Sequence, residues 1–224
     1  MNKITNLQSS KTQGGFTLIE IAIVLVIIGL LLGGVLQGQQ LIENSRIRNA
    51  TNSFNGIAAG VFSYQDRYGR LPGDDPGALD TRGASWPRNA AAGNGNGVVA
   101  ASTDPFAPAA TDEVSYFFQD LRSAGFIAGD SALTGTNALP ANPFGGLISV
   151  HTATTLGGLA GMKICMGNVT GTSAIALDTQ LDDAQPDGGR FRASDDGGTP
   201  NTAPNGTAAT TYSEDGTYTV CYRI

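Results

Sequence analysis

The chain has 224 residues, 41% of them hydrophobic and 14% charged, with a formal net charge of −6 at pH 7. That length leaves room for one domain of ordinary size beside a membrane segment, and a second full domain is not expected. The acidic balance repels phosphate backbones and disfavours nucleic acid as the main ligand, although Arg46 and Arg48 leave room for a local basic patch.

Residues 1–15 are short and polar, with Lys3 and Lys11 the only charged side chains. An uninterrupted apolar run follows from Phe16 to Leu36, and a helix of that length spans roughly 32 Å, close to the hydrocarbon core of a bilayer. A secretory signal places its apolar core before the cleavage site; here the order is reversed. A cut after Gly15 would leave the membrane helix on the mature chain and create a new α-amine on Phe16. Glu20, the one acid inside the run, would lie one helical turn away, because i and i+4 share a face.

Gly15-Phe16-Thr17-Leu18-Ile19-Glu20 resembles the type III signal of type IV prepilins and of type II secretion pseudopilins. The resemblance covers roughly residues 11–70. In that family a prepilin peptidase cuts after the glycine, the new N-terminal Phe is methylated, and the product is polymerised into a filament. The resemblance therefore implies cleavage between Gly15 and Phe16, N-methylation of Phe16, and a part in assembly for Phe16 and Glu20. The implied partners are the peptidase, the inner-membrane assembly machinery, and other copies of this chain or related pilins. Before assembly the chain would cross the bacterial inner membrane once, with its C-terminal part in the periplasm; afterwards it would lie in a periplasmic or extracellular filament. A carboxylate in lipid costs a few kcal/mol and finds a partner. Glu20 can pair with the Phe16 amine of its own chain or with that of a neighbouring subunit, and the resemblance favours the neighbour.

Past the membrane the helical period continues through Ile47, Ala50, Phe54, Ile57, Ala58, Val61, Tyr64 (or Gln65) and Tyr68. Gly69 and Leu71-Pro72-Gly73 then stop it. The spacing predicts one long helix over residues 16–70, its part 16–36 in the membrane or filament core, and a globular domain over 71–224. Gly29, Gly33, Gly34 and Gly38 allow close helix approach and weaken the helix.

The stretches "YQDRYGRLPGDDPGALD" and "EVSYFFQDLRSAGFIAGD" also resemble segments of larger pilin-like proteins. A short helix is expected from a Thr111 cap to Gly125, burying Val114, Phe117, Phe118 and Leu121. "AAAGNGNGVVAASTDPFAPAA" reads as a surface loop and lacks the GxGxxG spacing of a nucleotide site. Strands are expected over Leu147–Ala153, Leu159–Met166 and Thr217–Ile224, with a helix over Ser173–Leu181 and a low-complexity loop "TPNTAPNGTAATTYS" between. The fold class is thus α+β, a long N-terminal helix packed on an antiparallel sheet, the architecture that the resemblance also implies.

Cys165 and Cys221 are the only cysteines, an even count in a chain expected to leave the cytoplasm and outside any CxxC setting. A disulfide is the favoured reading and two buried thiols the other. The bond would bound region 165–221 and hold it against the core. Asp178, Asp182, Asp183 and Asp187 lie close together, and hard cations want several oxygen ligands. Some secretion pseudopilins bind calcium in C-terminal loops, but this spacing is not that of an EF-hand and offers no residue-by-residue match. A solvated acidic turn with Arg190 or Arg192 as counter-charge is the other reading, and no metal or other cofactor is expected. The single histidine, His151, is expected to be an exposed strand residue with no constellation around it, so catalysis is not expected. Two function classes remain: a structural filament subunit, or a minor pilin or pseudopilin whose C-terminal domain binds a surface, DNA or a secreted substrate.

Overall fold

A computed structural model of the chain describes residues 15–78, 93–102, 104–204 and 206–224. Residues 1–14 of the leader, with Lys3 and Lys11, residues 79–80 at the end of the first pilin-like stretch, residues 90–92 and 103 of the Gly, Ala and Asn rich loop, and residue 205 of the low-complexity loop lie outside the described residues. The chain divides into two compact units, Met1–Ile42 and Glu43–Ile224. Helix α1 runs over Leu18–Tyr68, and in the first unit almost every side chain on it is exposed.

In the second unit α1 presents Ile47, Ala50, Phe54, Ile57, Val61 and Tyr64 to the core, alternating steps of three and four that keep one stripe inward. Tyr64, not Gln65, takes the inward place, and its hydroxyl donates to Asp75 at 2.9 Å. Gly69 ends the helix with φ at +66°, a left-handed position that costs glycine nothing, and its amide still reaches the Gln65 carbonyl at 2.8 Å.

Helix α2 covers Glu113–Ser123 and buries the expected Val114, Phe117, Phe118 and Leu121. Its cap is Asp112, one residue later than the Thr111 expected. The Asp112 carbonyl accepts from Ser115 and Tyr116 and so starts the helix. The Asp112 carboxylate turns back, accepting from the Ser102 amide at 2.9 Å, the Ser102 hydroxyl at 3.0 Å and the Ala109 amide at 2.8 Å. A side chain that ties the preceding loop cannot also cap its own helix, and Thr111 lies outside the first turn.

Four strands follow among the described residues: β1 (Ile148–His151), β2 (Lys163–Thr170), β3 (Phe191–Asp195) and β4 (Thr217–Arg223), with helix α3 (Gly171–Leu181) between β2 and β3. They form one antiparallel sheet in the order β1-β2-β4-β3. Strand β2 outlasts the Met166 end expected for it because a bulge repairs its alternation. Met166 faces Val220 and Val169 faces Tyr218, so three steps on β2 match two on β4. Asn168 takes the left-handed turn with φ at +61°, and its amide group donates to the Phe144 carbonyl at 2.9 Å. Met166 and Val169 therefore share a face, which a regular strand forbids.

On that face Ile148, Val150, Ile164, Met166, Val169, Phe191 and Val220 join α1, α2 and α3 in the main core. Phe54 of α1 meets Phe191 and Tyr222 edge-on, with ring centroids 6.2 and 5.8 Å apart. The opposite face is also buried, beneath loops. By register it carries Ser149, Cys165, Cys221 and Arg192 in one row, flanked by His151, Lys163 and Thr219. Phe106, Leu156, Leu159 and Ala208 from the loops pack on the two cysteines.

Candidate functional site

The N-terminal end of α1 is built from three residues. Helical dihedrals begin at Leu18, so Thr17 stands at the cap position and Glu20 is the third helical residue. That spacing lets the two side chains satisfy each other's amides. The Thr17 hydroxyl accepts from the Glu20 amide at 3.3 Å, and Glu20 Oε2 accepts from the Thr17 amide and the Thr17 hydroxyl, both at 2.8 Å. The carboxylate also faces the positive end of the helix dipole. Both Thr17 donors go to Oε2, and among the described residues Oε1 has no hydrogen-bond partner.

Gly15 and Phe16 precede this cap, and the Phe16 side chain is 84% exposed. Beyond it Leu18, Ile19, Val24, Leu25, Leu30, Leu31 and Leu36 are all exposed apolar side chains. Among the described residues α1 is the one helix long and apolar enough to cross a membrane. Nothing stands within 4 Å of where a Cβ would project at Gly29, Gly33, Gly34 or Gly38, so this surface is open along its length. Glu20 is thus the single charge in a long apolar surface. The Thr17 part of this arrangement was missed in the sequence, although a Thr followed three residues later by Glu ahead of an apolar run is a cap signal.

In the head, the second unit Glu43–Ile224, Cys165 and Cys221 are bonded and sit opposite each other in the two central strands. The chain between them supplies Ala174, Leu177, Phe191, Ala193 and Val220 to the main core, so it is part of that core rather than a segment strapped onto it. His151 is buried at 4% exposure, in contrast to the exposed position expected, and its Nε2 lies 3.5 Å from Cys165 Sγ. Its polar neighbours face inward too, because the loops cover that side. Burial, with the Lys163 charge added, pushes the imidazole down to about 3. Lys163 is itself fully buried and pushed down to about 8, its Nζ donating to the carbonyls of Ala153 at 2.5 Å and Gly161 at 2.9 Å.

Lys163 is one of four donors that fasten the loop layer to the outer face. Ser149 donates to the Pro105 carbonyl, and Thr219 to that of Thr202 at 2.8 Å. Arg192 reaches the carbonyls of Leu156 at 2.9 Å and Gly157 at 2.8 Å. Loop carbonyls buried without such donors would each lose hydration with nothing in return.

The acidic turn brings carboxylate oxygens of Asp178, Asp182 and Asp183 within 4.8 Å of one another; Asp187 stands outside this group. Each of the three already serves the protein. Asp178 is fully buried and accepts from the Tyr212 hydroxyl at 2.7 Å and the Ala184 amide at 3.1 Å. Burial pushes its carboxyl up to about 6, against the pull of those two bonds and with Asp183 and Asp182 adding to the rise. Asp182 accepts from the amides of Arg190 and Phe191, and Asp183 from that of Gln185. Arg190 and Arg192 meet this turn through backbone and carbonyl contacts: the Arg190 guanidinium reaches the Arg223 carbonyl at 2.9 Å, and that of Arg192 also reaches the Gly188 carbonyl at 3.1 Å.

Residues 10–36 match the prokaryotic N-terminal methylation motif, the signal of type IV pilins and pseudopilins. No curated protein matches the chain.

Proposed function

We propose that this chain is a structural subunit of a type IV pilus or pilus-like filament, cut after Gly15 by a prepilin peptidase, methylated on Phe16 and assembled through the apolar half of α1. The observation that carries this reading is the open apolar surface of α1 with Glu20 as its one charge, in a chain bearing the methylation motif. Apolar helices pack against one another with weak preference for axial position; a charge pair gives them one. In the precursor the Phe16 nitrogen is a peptide amide and offers Glu20 no charge. Cleavage turns it into a cation. Glu20 can keep both Thr17 contacts on Oε2 and accept the Phe16 amine of a neighbouring copy on Oε1.

Before assembly the chain is held in the bacterial inner membrane by the helix and reaches the assembly machinery there, with residues 71–224 in the periplasm. Afterwards the helices form the filament core and the heads its surface. The proposal calls for no cofactor, and the motif's family is structural.

The test is Glu20→Ala as the sole copy in its host. The variant is expected to be processed and membrane-bound yet absent from sheared fibres, whereas wild type is abundant in them. Normal fibres from the variant would overturn the pairing of Glu20 between subunits. Wild-type chain that is scarce in the fibres would favour the minor-pilin or pseudopilin reading, a tip or binding module, over a major subunit.

A further inference from the structure

The loop "GNGNG", residues 93–97, bears no nucleotide-site spacing, but it repeats an Asn-Gly pair twice, at Asn94-Gly95 and Asn96-Gly97. Asn-Gly is the sequence at which an asparagine side chain is attacked most readily by its own backbone, because the following glycine leaves the amide nitrogen unshielded. Both asparagines are exposed. In this loop the two attacking nitrogens are the ones that Asp74 holds. The Gly95 amide donates to Asp74 Oδ1 at 2.6 Å and also to the Asp74 carbonyl at 3.1 Å. The Gly97 amide donates to Asp74 Oδ2 at 2.6 Å, and the Asn96 amide between them to Oδ1 at 3.1 Å. Asp74 is 3% exposed, and Gly93 lies so close on its backbone that no side chain fits there. The Asn94 side-chain oxygen accepts from the Asn96 amide at 3.0 Å, and that of Asn96 from the Val98 amide at 2.8 Å, which fixes both side chains. A second carboxylate closes the loop: Glu113 accepts from the amides of Asn94 at 3.3 Å and Ala100 at 3.2 Å.

We propose that Asn94 and Asn96 are a paired deamidation site whose rate is set by the grip of Asp74 on the amides of Gly95 and Gly97. The reaction needs only water. The glycine nitrogen loses its proton and attacks the asparagine Cγ; the new C–N bond closes a succinimide as ammonia leaves with a proton. Water then opens the ring at either carbonyl, giving aspartate or isoaspartate. An amide donating to a carboxylate is disfavoured as a nucleophile twice over, because the adjacent negative charge opposes loss of its proton and the charge-assisted hydrogen bond has to break before the nitrogen can attack. Conversion at either position places a new carboxylate beside Asp74 and Glu113, and isoaspartate also lengthens the backbone by one carbon. Either product loosens the clasp, so the loop carries a one-way mark of the age of the folded subunit.

The test is peptide mapping of the purified full-length chain in detergent after incubation at neutral pH, folded and in concentrated urea. Aspartate and isoaspartate at positions 94 and 96 are expected to accumulate at least about tenfold more slowly in the folded chain, the factor that about 1.4 kcal/mol provides. Equal rates in the two states would overturn the proposal. Asp74→Ala in the folded chain is expected to bring both positions about tenfold closer to the urea rate, and a folded Asp74→Ala chain that deamidates as slowly as wild type would overturn it as well. Should that variant fail to fold, Asp74→Asn, which removes the charge and keeps one acceptor oxygen, is expected to raise both rates, and rates unchanged from wild type would overturn the proposal.

Discussion

Cys165 on β2 stands directly opposite Cys221 on β4, and the bond between them joins the two central strands of the sheet. A clasp at that place acts on the whole head, because α3, β3 and the first part of β4 lie between the two cysteines and all contribute to the main core. Replacing both by alanine releases a loop of sequence separation 56, worth about 4 kcal/mol in the chain-entropy account. The melting midpoint of the head is expected to fall by roughly 10 °C as a single transition. An early, separate transition confined to 166–220 would show instead that this region is held on from outside.

Two buried groups give the head opposing responses to pH. The Asp178 carboxyl sits at about 6 in the folded state against 3.8 when unfolded, so across about pH 4 to 6 the folded state binds more protons and stability falls as pH rises. The His151 imidazole is held down at about 3 against 6.5, so the unfolded chain binds its proton first and stability rises with pH from about 3 to 6.5. Where the windows overlap the two slopes offset each other. Asp178→Asn is expected to steepen the rise of stability with pH, by a total on the order of 3 kcal/mol across the Asp178 window. His151→Gln is expected to leave a net fall over the same range. Denaturant midpoints at pH steps through that range check both, and slopes unchanged from wild type would contradict the assignment.

The bulge in β2 makes a third demand. Asn168 combines a left-handed backbone with a bond to the Phe144 carbonyl, and a β-branched residue tolerates neither that φ nor the loss of the donor. Asn168→Val is expected to cost about 1–3 kcal/mol, and Asn168→Gly less, since glycine removes the backbone strain but not the missing bond. Equal midpoints for the two variants would show that the backbone there is not strained.

What the sequence disclosed and what it hid follow one physical line. Helix α1 was readable because its stripe recurs over many turns, and α2 because four large apolar residues fall on one face. Strands β1, β2 and β4 were placed within a few residues. Strand β3 was not foreseen: Phe191–Asp195 is five residues long, lies between glycine pairs, and is made a strand by pairing with β4. His151 misled for a related reason. Alternation tells which side chains share a face of a sheet, not whether loops far away in sequence will cover that face. Cover here comes from Phe106, Leu156, Leu159 and Ala208, and from donors such as Ser149 and Thr219 whose acceptors are loop carbonyls. The Thr17 and Glu20 cap is the opposite case, a local signal present in the sequence and absorbed into the larger motif around it.

That cap is testable in the apolar half of α1. Thr17→Val keeps the backbone amide that donates to Glu20 but removes the hydroxyl that serves it in both directions. Losing a cap of this kind costs about 1 kcal/mol, so amide exchange at Glu20 and Ile21, the two amides that Thr17 accepts, is expected to quicken about fivefold in detergent. Unchanged exchange there would mean that the Thr17 hydroxyl does not hold the helix start.

The mass of the mature N-terminal peptide bears most directly on the central claim, that this chain is a processed filament subunit. Chain recovered from the membrane or from fibres of its host is expected to begin at Phe16, with one methyl group on the α-nitrogen and with residues 1–15 gone. Gly15→Val is expected to leave the precursor uncut. A wild-type chain that keeps residues 1–15, or one that begins at a residue other than Phe16, would contradict the account.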